Sequence, residues 1–516
     1  MHSLDDTAAY QVITARDARF DGRLFVGVTS TGIYCRPICR VRTPRAKNCR
    51  FFATPAQAEA AAFRPCMKCR PELAPAAGYA WSVMDASRTL ARQAADALDE
   101  QAASGDAKSL VDVAERLGVS DRHLRRIFQT EHGVTPLQYV QTRRLLLAKQ
   151  LLTDTRLPVA QIALASGFNS LRRFNAAFAE NYRMSPSRLR GEVEFDESAS
   201  DAGVTVKLAY RAPYDVDAWL RFVAQRAIPE VEVVAGRSVR RTLRAGAVTP
   251  DAGWVEVEFA TAAPIVLLRF APELANASGR IVAAMRRWLD LDATPETIDT
   301  ALAALPGAPG LRLPGGTDAF ELAVRAVLGQ QVTVAAARTI ARRLVVRFGT
   351  PLLTPWPEVT RGFPQPVLLA ATPIEQIAEL GIIRTRAAAI IAIAQAWPEI
   401  ASLLAARARP EALIARLCAI KGIGPWTAHY IAMRALGWPD AFPPNDVAVL
   451  KAMNQLFGTS SQREVDAHAQ PWQPWRAYAV LRLWNTLEPP GRPKATTPPR
   501  GATPKASGGK HLEKTP

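Results

Sequence analysis

Of the five cysteines among the first seventy residues, four form two close pairs, Cys35-x3-Cys39 and Cys66-x2-Cys69. Two close pairs separated by a loop can converge tetrahedrally on one zinc ion, with thiolates about 2.3 Å from the metal. The thiolate is also the nucleophilic form of cysteine, and zinc keeps thiols deprotonated at neutral pH. Such a site can hold a small fold together, carry out a displacement, or do both. From Cys35 to Arg50 there are six basic residues and no acidic one, which suits a phosphate backbone nearby. Cys49 lies outside both pairs and reads as a packed thiol.

A second candidate lies far downstream. Ile420-Lys-Gly-Ile-Gly-Pro-Trp-Thr-Ala follows one expected helix, Pro410 to Ala419, and opens another. Gly422 and Gly424 allow a tight turn and can present bare amides to a phosphate at a helix N-terminus. By itself this is also the pattern of an ordinary helix–helix turn. Phe442-Pro-Pro-Asn-Asp-Val then brings an aspartate, Asp446, after a Pro-rich loop.

Between these sites two segments read as DNA-reading hairpins. In Ser109-Leu-Val-Asp-Val-Ala-Glu-Arg-Leu-Gly-Val-Ser-Asp-Arg-His-Leu-Arg-Arg-Ile-Phe an apolar-periodic helix stops at Gly118. Ser120 can then cap a second helix carrying Arg122, Arg125 and Arg126. The pattern recurs in Val159-Ala-Gln-Ile-Ala-Leu-Ala-Ser-Gly-Phe-Asn-Ser-Leu-Arg-Arg-Phe, with Gly167 at the turn and Arg172, Arg173 and Asn175 on the second helix.

The elements that must position these groups divide the 516 residues into several units. Residues 1–80 form a short cysteine-bearing unit, and 81–190 are helical. Residues 191–203 are acidic, small and polar and read as a linker. Over 204–295 Val204-Thr-Val-Lys-Leu and Trp254-Val-Glu-Val-Glu-Phe alternate like half-buried strands, with amphipathic helices near 215–227 and 278–290. Residues 296–487 are again helix-rich, and the basic tail 488–516 lacks an apolar core and is expected to be disordered. The expected class is multidomain and mainly α with α+β parts: a small zinc-bound α/β unit, tandem helix-turn-helix, an α+β domain, and an all-α domain.

A formal charge of +17 favours a polyanionic partner. Nucleic acid fits better than membrane, since no apolar run approaches the ~18 residues that span a bilayer. Met1 to Tyr10 carries acidic residues and no apolar core, unlike a secretory signal. Few cysteines fit a reducing compartment, so the expected location is the bacterial cytoplasm, at the nucleoid.

Thr31-Gly-Ile-Tyr-Cys-Arg-Pro-Ile-Cys-Arg, with Phe63-Arg-Pro-Cys-Met-Lys-Cys-Arg, resembles the N-terminal domain of Ada-type repair proteins. The resemblance implies one zinc ion held by Cys35, Cys39, Cys66 and Cys69, and transfer of a methyl group from a DNA phosphotriester to Cys35. The two hairpins, followed by Met184-Ser-Pro, resemble the AraC-type DNA-binding domain.

The second half resembles the helix-hairpin-helix glycosylases, and within them the AlkA-type 3-methyladenine DNA glycosylase II. The likeness rests on Ala212-Pro-Tyr-Asp-Val, Gly310-Leu-Arg-Leu-Pro-Gly, Ala326-Val-Leu-Gly-Gln-Gln-Val, Gly424-Pro-Trp-Thr-Ala-His-Tyr and Pro474-Trp-Arg-Ala-Tyr. It implies Asp446 as catalytic carboxylate and Trp426, Tyr430 and Trp475 as an aromatic pocket for a flipped base. Gly422 and Gly424 would meet the DNA backbone. Gln331 stands where a wedge, often leucine, enters the gap left by the flipped base. Asn445 stands where the carboxylate often has an acidic neighbour. Trp426 occupies the place of the Schiff-base lysine of bifunctional relatives, which argues for base release without strand cleavage. No cysteine cluster follows Asp446, and no Pro-Cys-His-Arg motif is present.

The expectation is a multifunctional alkylation-damage protein: a zinc-dependent methyl acceptor, a DNA-binding activator and a monofunctional glycosylase. Its implied partners are double-stranded DNA, as damaged sites and promoter operators, and RNA polymerase. The competing reading is a transcription regulator with a structural zinc site and a non-catalytic C-terminal half.

Overall fold

The computed structural model describes residues 4–76, 86–104, 109–191, 203–244, 252–405 and 410–487. The expected tail, and all but the two ends of the expected linker, lie outside the described residues.

In the N-terminal unit α1 (Asp6–Ala15) covers a four-stranded sheet of β1 (Phe25–Val28), β2 (Ile33–Cys35), β3 (Cys49–Phe52) and β4 (Arg64–Pro65), with α2 (Pro55–Ala60) between the last two. The spatial order is β3-β1-β2-β4, and only the β2–β4 pair is parallel. That pair matters for chemistry. Tyr34 lies opposite Pro65, and the Cys66 amide donates to the Tyr34 carbonyl at 2.9 Å, so the two cysteine pairs leave neighbouring strands side by side.

A helical unit follows: α3 (Ala86–Ser104), α4 (Leu110–Arg116), α5 (Asp121–His132), α6 (Pro136–Asp154), α7 (Val159–Ala165), α8 (Leu171–Tyr182) and α9 (Pro186–Gly191). Both hairpins turn at glycines in the left-handed region, Gly118 at φ +70° and Gly167 at φ +80°. Ser120 and Ser170 cap the second helix of each through hydrogen bonds from the His123 and Arg173 amides.

The third unit is an antiparallel five-stranded sheet of β5 (Val204–Ala209), β6 (Glu232–Ala235), β7 (Ser238–Arg244), β8 (Ala252–Phe259) and β9 (Ile265–Phe270), in spatial order β5-β9-β8-β7-β6. Helices α10 (Val216–Arg226) and α11 (Ser278–Trp288) accompany it, and Trp219 meets Phe259 and Trp288 edge-on at 5.7 and 5.2 Å. The apolar core is continuous from Leu145 and Phe178 of the helical unit to Val206 and Leu268 of the sheet.

The rest is helical: α12 (Pro295–Ala301), α13 (Ala319–Leu328), α14 (Val334–Phe348), α15 (Pro366–Ala371), α16 (Ile374–Ala378), α17 (Arg384–Gln395), α18 (Trp397–Ala405), α19 (Pro410–Cys418), α20 (Pro425–Ile431), α21 (Val447–Phe457), α22 (Gln462–His468) and α23 (Arg476–Leu487), with one short strand pair near Thr350 and Arg361. Two apolar clusters fill it, and Tyr430 and Trp438 border both. Among the described residues no single helix is long and apolar enough to cross a membrane.

Candidate functional site

The sulfur atoms of Cys35, Cys39, Cys66 and Cys69 all lie within 4.8 Å of one another. Tetrahedral zinc with bonds near 2.3 Å sets its sulfurs roughly 3.8 Å apart, so the donor set fits a single zinc ion. Four thiols this close share protons. Hydrogen bonds from Cys35 and its neighbours lower Cys66 and Cys39, whereas donating those bonds raises Cys35. A divalent cation is the other way to satisfy four converging sulfurs. Cys35, Cys39 and Cys66 are buried, and Cys69 is half-buried. Cys49 sits apart on β3, its thiol 3.5 Å from the Arg45 carbonyl.

Arg36 braces this cluster. Its amide donates to the Cys69 sulfur at 3.3 Å, its guanidinium donates to the Cys69 carbonyl at 3.1 Å, and it makes a two-pronged ion pair with Asp21. It is buried and committed to protein, so it leaves the basic run expected to face phosphate. Arg40, Arg42, Arg45, Lys47 and Arg50 are exposed and keep that role open.

On the tandem hairpins Arg122, Arg125 and Arg126 of α5 and Arg172, Arg173 and Asn175 of α8 all face solvent. The opposite faces bury Leu124, Ile127 and Phe128, and Phe174 and Phe178, respectively. Arg125 is engaged by Asp121 at 2.9 Å, one turn earlier.

Asp446 caps α21 and is buried at 5% exposure. Its Oδ1 accepts from the Val449 amide at 2.8 Å and from the Trp484 indole at 3.2 Å, while Oδ2 accepts from the Trp426 indole at 2.7 Å. Trp426 and Tyr430 are one helical turn apart on α20 and stack at 5.2 Å with 8° between planes. Tyr430 lies 6.3 Å from Trp484. Burial pushes the Tyr430 hydroxyl up, but the Arg434, Arg226 and Arg325 cations outweigh it and leave the phenol more acidic than usual. The result is an aromatic corner beside an oriented carboxylate.

Family models match this order of units: the metal-binding domain of Ada over residues 8–72, a helix-turn-helix domain over 113–192, the AlkA N-terminal domain over 205–318, and the HhH-GPD superfamily of base excision DNA repair proteins over 324–476. A probable bifunctional transcriptional activator/DNA repair enzyme AlkA of Mycobacterium tuberculosis is 36% identical over 513 residues, covering 95% of this chain and 98% of the relative. The chain belongs to that family. The DNA-3-methyladenine glycosylase 2 of Escherichia coli is 35% identical over 54% of this chain and 96% of its own length. The bifunctional activator/repair enzyme AdaA of Bacillus subtilis is 28% identical over 37% of this chain and 84% of its own.

Within the glycosylase-like half, one expected pocket residue lies elsewhere. Trp475 is buried in the core edge-on to Tyr478 at 6.0 Å, at the start of α23. The tryptophan that reaches Asp446 is Trp484, later on that helix. Sequence reasoning missed it because one tryptophan precedes this apolar-periodic helix and another lies within it, and local pattern does not say which meets the carboxylate.

Gly422, at φ +94°, and Gly424 form the exposed turn between α19 and α20. Gln331, at φ +52°, is exposed in the α13–α14 turn. Its neighbour Gln330 ties the two turns together, donating to the Gly422 carbonyl and the Thr427 hydroxyl, both at 3.0 Å. Asn445, also at positive φ, donates its amide to Gln462 at 2.9 Å. Gln330 and Arg434 were not singled out in the sequence. The doubled glutamine and the arginine one turn after Tyr430 were the only signals available.

Proposed function

We propose that this chain repairs alkylated DNA at two separate centres and regulates transcription through its tandem helix-turn-helix. In the C-terminal half it acts as a monofunctional glycosylase that releases alkylated bases such as 3-methyladenine by hydrolysis of the N-glycosidic bond. The observation that carries this reading is the Asp446 carboxylate, buried and held by two indole N–H groups beside a stacked aromatic pair. An alkylated purine cation is already a good leaving group. The enzyme's task is to stabilise the sugar cation and admit water, which an oriented carboxylate does by charge. Trp426, Tyr430 and Trp484 offer faces to a cationic base. Gly422 and Gly424 approach the backbone, and Gln331 enters the gap.

At the other centre Cys35 is the proposed acceptor of a methyl group from a DNA phosphotriester. Bound zinc supplies a thiolate that stays ionised at neutral pH. Cys39, Cys66 and Cys69 complete the donor set, Arg36 fixes its geometry, and the exposed basic run holds the phosphates. The sulfur forms a bond to the methyl carbon as the carbon–oxygen bond breaks, and a phosphate diester leaves. The thioether is not turned over, so each molecule acts once. Arg122, Arg125, Arg126, Arg172, Arg173 and Asn175 are the proposed contacts to operator DNA, and RNA polymerase is the partner an activator implies.

Base release from methylated duplex DNA by wild type and Asp446→Asn, with the mass of the Cys35 peptide followed in the same reaction, tests both centres. The expected result is base release lost in the variant while Cys35 still gains one methyl group. No base release by the wild type would leave the C-terminal half as a DNA-binding module. Methylation at another cysteine would reassign the acceptor.

A further inference from the structure

The helix that carries Trp426 and Tyr430 does not end as an α-helix. It runs into a π-helical turn, Ala432–Leu436, whose wider winding re-aims the side chains that follow. Arg434 stands on this turn, and each of its three guanidinium nitrogens donates a hydrogen bond. It donates from Nη1 to the Tyr430 hydroxyl at 2.8 Å, from Nε to the Pro314 carbonyl at 2.8 Å and from Nη2 to the Gly315 carbonyl at 3.0 Å. The cation lies 5.0 Å from the Phe222 ring centre and 5.6 Å from that of Tyr430. Arg226 covers the same Phe222 ring at 3.8 Å. Arg434 is therefore fixed between the sheet domain and the helical domain.

Fixing it decides what Tyr430 can do. A guanidinium has donors and no acceptor, so the Tyr430 oxygen must accept from it. The hydroxyl proton then points away from Arg434, and among the described residues no protein group takes it.

We propose that Arg434 is a positioning residue that makes Tyr430 a directed hydrogen-bond donor to the excised base, and so sets the balance between neutral and cationic bases. This rests on the glycosylase reading above. In either case the bond from C1′ to the base nitrogen breaks with its electron pair on the base, and a C1′–oxygen bond forms to water, which gives up a proton. A cationic purine leaves as a neutral molecule and needs nothing more. A neutral purine leaves with developing negative charge and takes up a proton to balance the one water lost. A donor aimed at a base nitrogen or oxygen stabilises that developing charge and so favours the neutral substrate. The fixed positive charge behind the Tyr430 ring also disfavours a second cation on that ring. Both effects act in one direction.

The test is single-turnover release of N7-methylguanine, a cationic base in DNA, and of hypoxanthine, a neutral one, from otherwise identical duplexes. Full-length wild type, Tyr430→Phe, Arg434→Met and the double variant are compared. The expected result is a rise of about tenfold in the ratio of N7-methylguanine to hypoxanthine release in each single variant, without a further rise in the double variant. Tyr430→Phe removes one oxygen atom and keeps the stacked ring, so it decides the matter even if Arg434→Met folds poorly. An unchanged ratio in Tyr430→Phe would overturn the inference, as would wild type that releases N7-methylguanine but no hypoxanthine. Wild type that releases neither base would instead remove the glycosylase reading on which the inference stands.

Discussion

The two oxygens of Asp446 differ in what they keep when one indole is removed. Among the described residues Oδ2 accepts from Trp426 alone, at 2.7 Å, whereas Oδ1 accepts from the Val449 amide at 2.8 Å as well as from Trp484 at 3.2 Å. Trp426→Phe strips one oxygen of its donor, while Trp484→Phe leaves the other with its backbone bond. Hydrogen bonds to charged groups contribute about 1.5–3 kcal/mol. The short, unshared bond belongs at the upper end, ~3 kcal/mol, and the longer, shared one at the lower end, ~1.5 kcal/mol. If that energy orients the carboxylate in the transition state, single-turnover base release falls about a hundredfold in Trp426→Phe and about tenfold in Trp484→Phe. Phenylalanine keeps an aromatic face at each position, so affinity for intact methylated duplex serves as the control and should change much less than the rate. Equal losses in the two variants, or a larger loss in Trp484→Phe, would refute the reasoning. The ring faces, and not their N–H groups, would then be what the reaction needs.

Three further predictions concern the N-terminal half. Burial pushes the Glu59 carboxyl up to about 7, although its oxygens accept from Tyr34 at 3.0 Å and Thr142 at 2.8 Å. A raised carboxyl stabilises the fold below its unfolded value of 4.5 and loses that contribution as pH climbs through about 7. The difference is ~3 kcal/mol, so melting of wild type relative to Glu59→Gln should fall across that range, and parallel pH profiles would contradict it. Lys149 and Glu72 pair at 2.6 Å with each side chain 1% exposed, and Arg70 holds the other Glu72 oxygen at 2.8 Å. Lys149→Met should cost ~3 kcal/mol, and adding Glu72→Gln should restore most of the melting temperature. Chelation of zinc should make residues 8–72 sensitive to limited proteolysis while base release persists; loss of both together would mean that the glycosylase half depends on the metal.

Much of the site is local chemistry and was therefore legible. The cysteine spacing, the serine that caps α5 and the turns at Gly118, Gly167 and Gly422 are each set by a few consecutive residues. What escaped depends on partners distant in sequence. Arg36 counted as one more cation in a basic run until Asp21 buried it. Trp475 and Trp484 are chemically alike, and only the docking of α23 against α21 decides which indole faces Asp446. The role of Arg434 needed both the π-helical turn and the loop carbonyls of Pro314 and Gly315, neither of which has a sequence signature.

The contacts between units argue against a string of independent beads. Buried Arg211 of the sheet domain donates to the Asp21 carbonyl of the zinc unit at 3.1 Å and to the Asp292 carbonyl at 2.9 Å, and also reaches the Ala76 carbonyl. Asp292 in turn accepts from the Ala76 amide at 2.7 Å. From the helical unit, Gln150 donates to the Lys207 carbonyl at 2.7 Å and Asp154 accepts from the Lys207 amide at 3.1 Å, which pins β5 to the end of α6. Burial lowers Arg211 to about 10, and the Asp292 and Asp21 carboxylates together with the fixed carbonyl partners offset part of the cost of holding its charge. An exposed pair such as Arg19 with Glu296 could come and go with little effect, but a buried guanidinium that loses its acceptors cannot. Separating the zinc unit from the sheet would break these bonds and return the guanidinium and the Ala76 amide to water. The three N-terminal units consequently hold one arrangement in which Tyr34, next to Cys35, touches the helix-turn-helix unit through Glu59 and Thr142. Packed, hydrogen-bonded contacts thus join the strand that carries Cys35 to α6, the helix between the two hairpins.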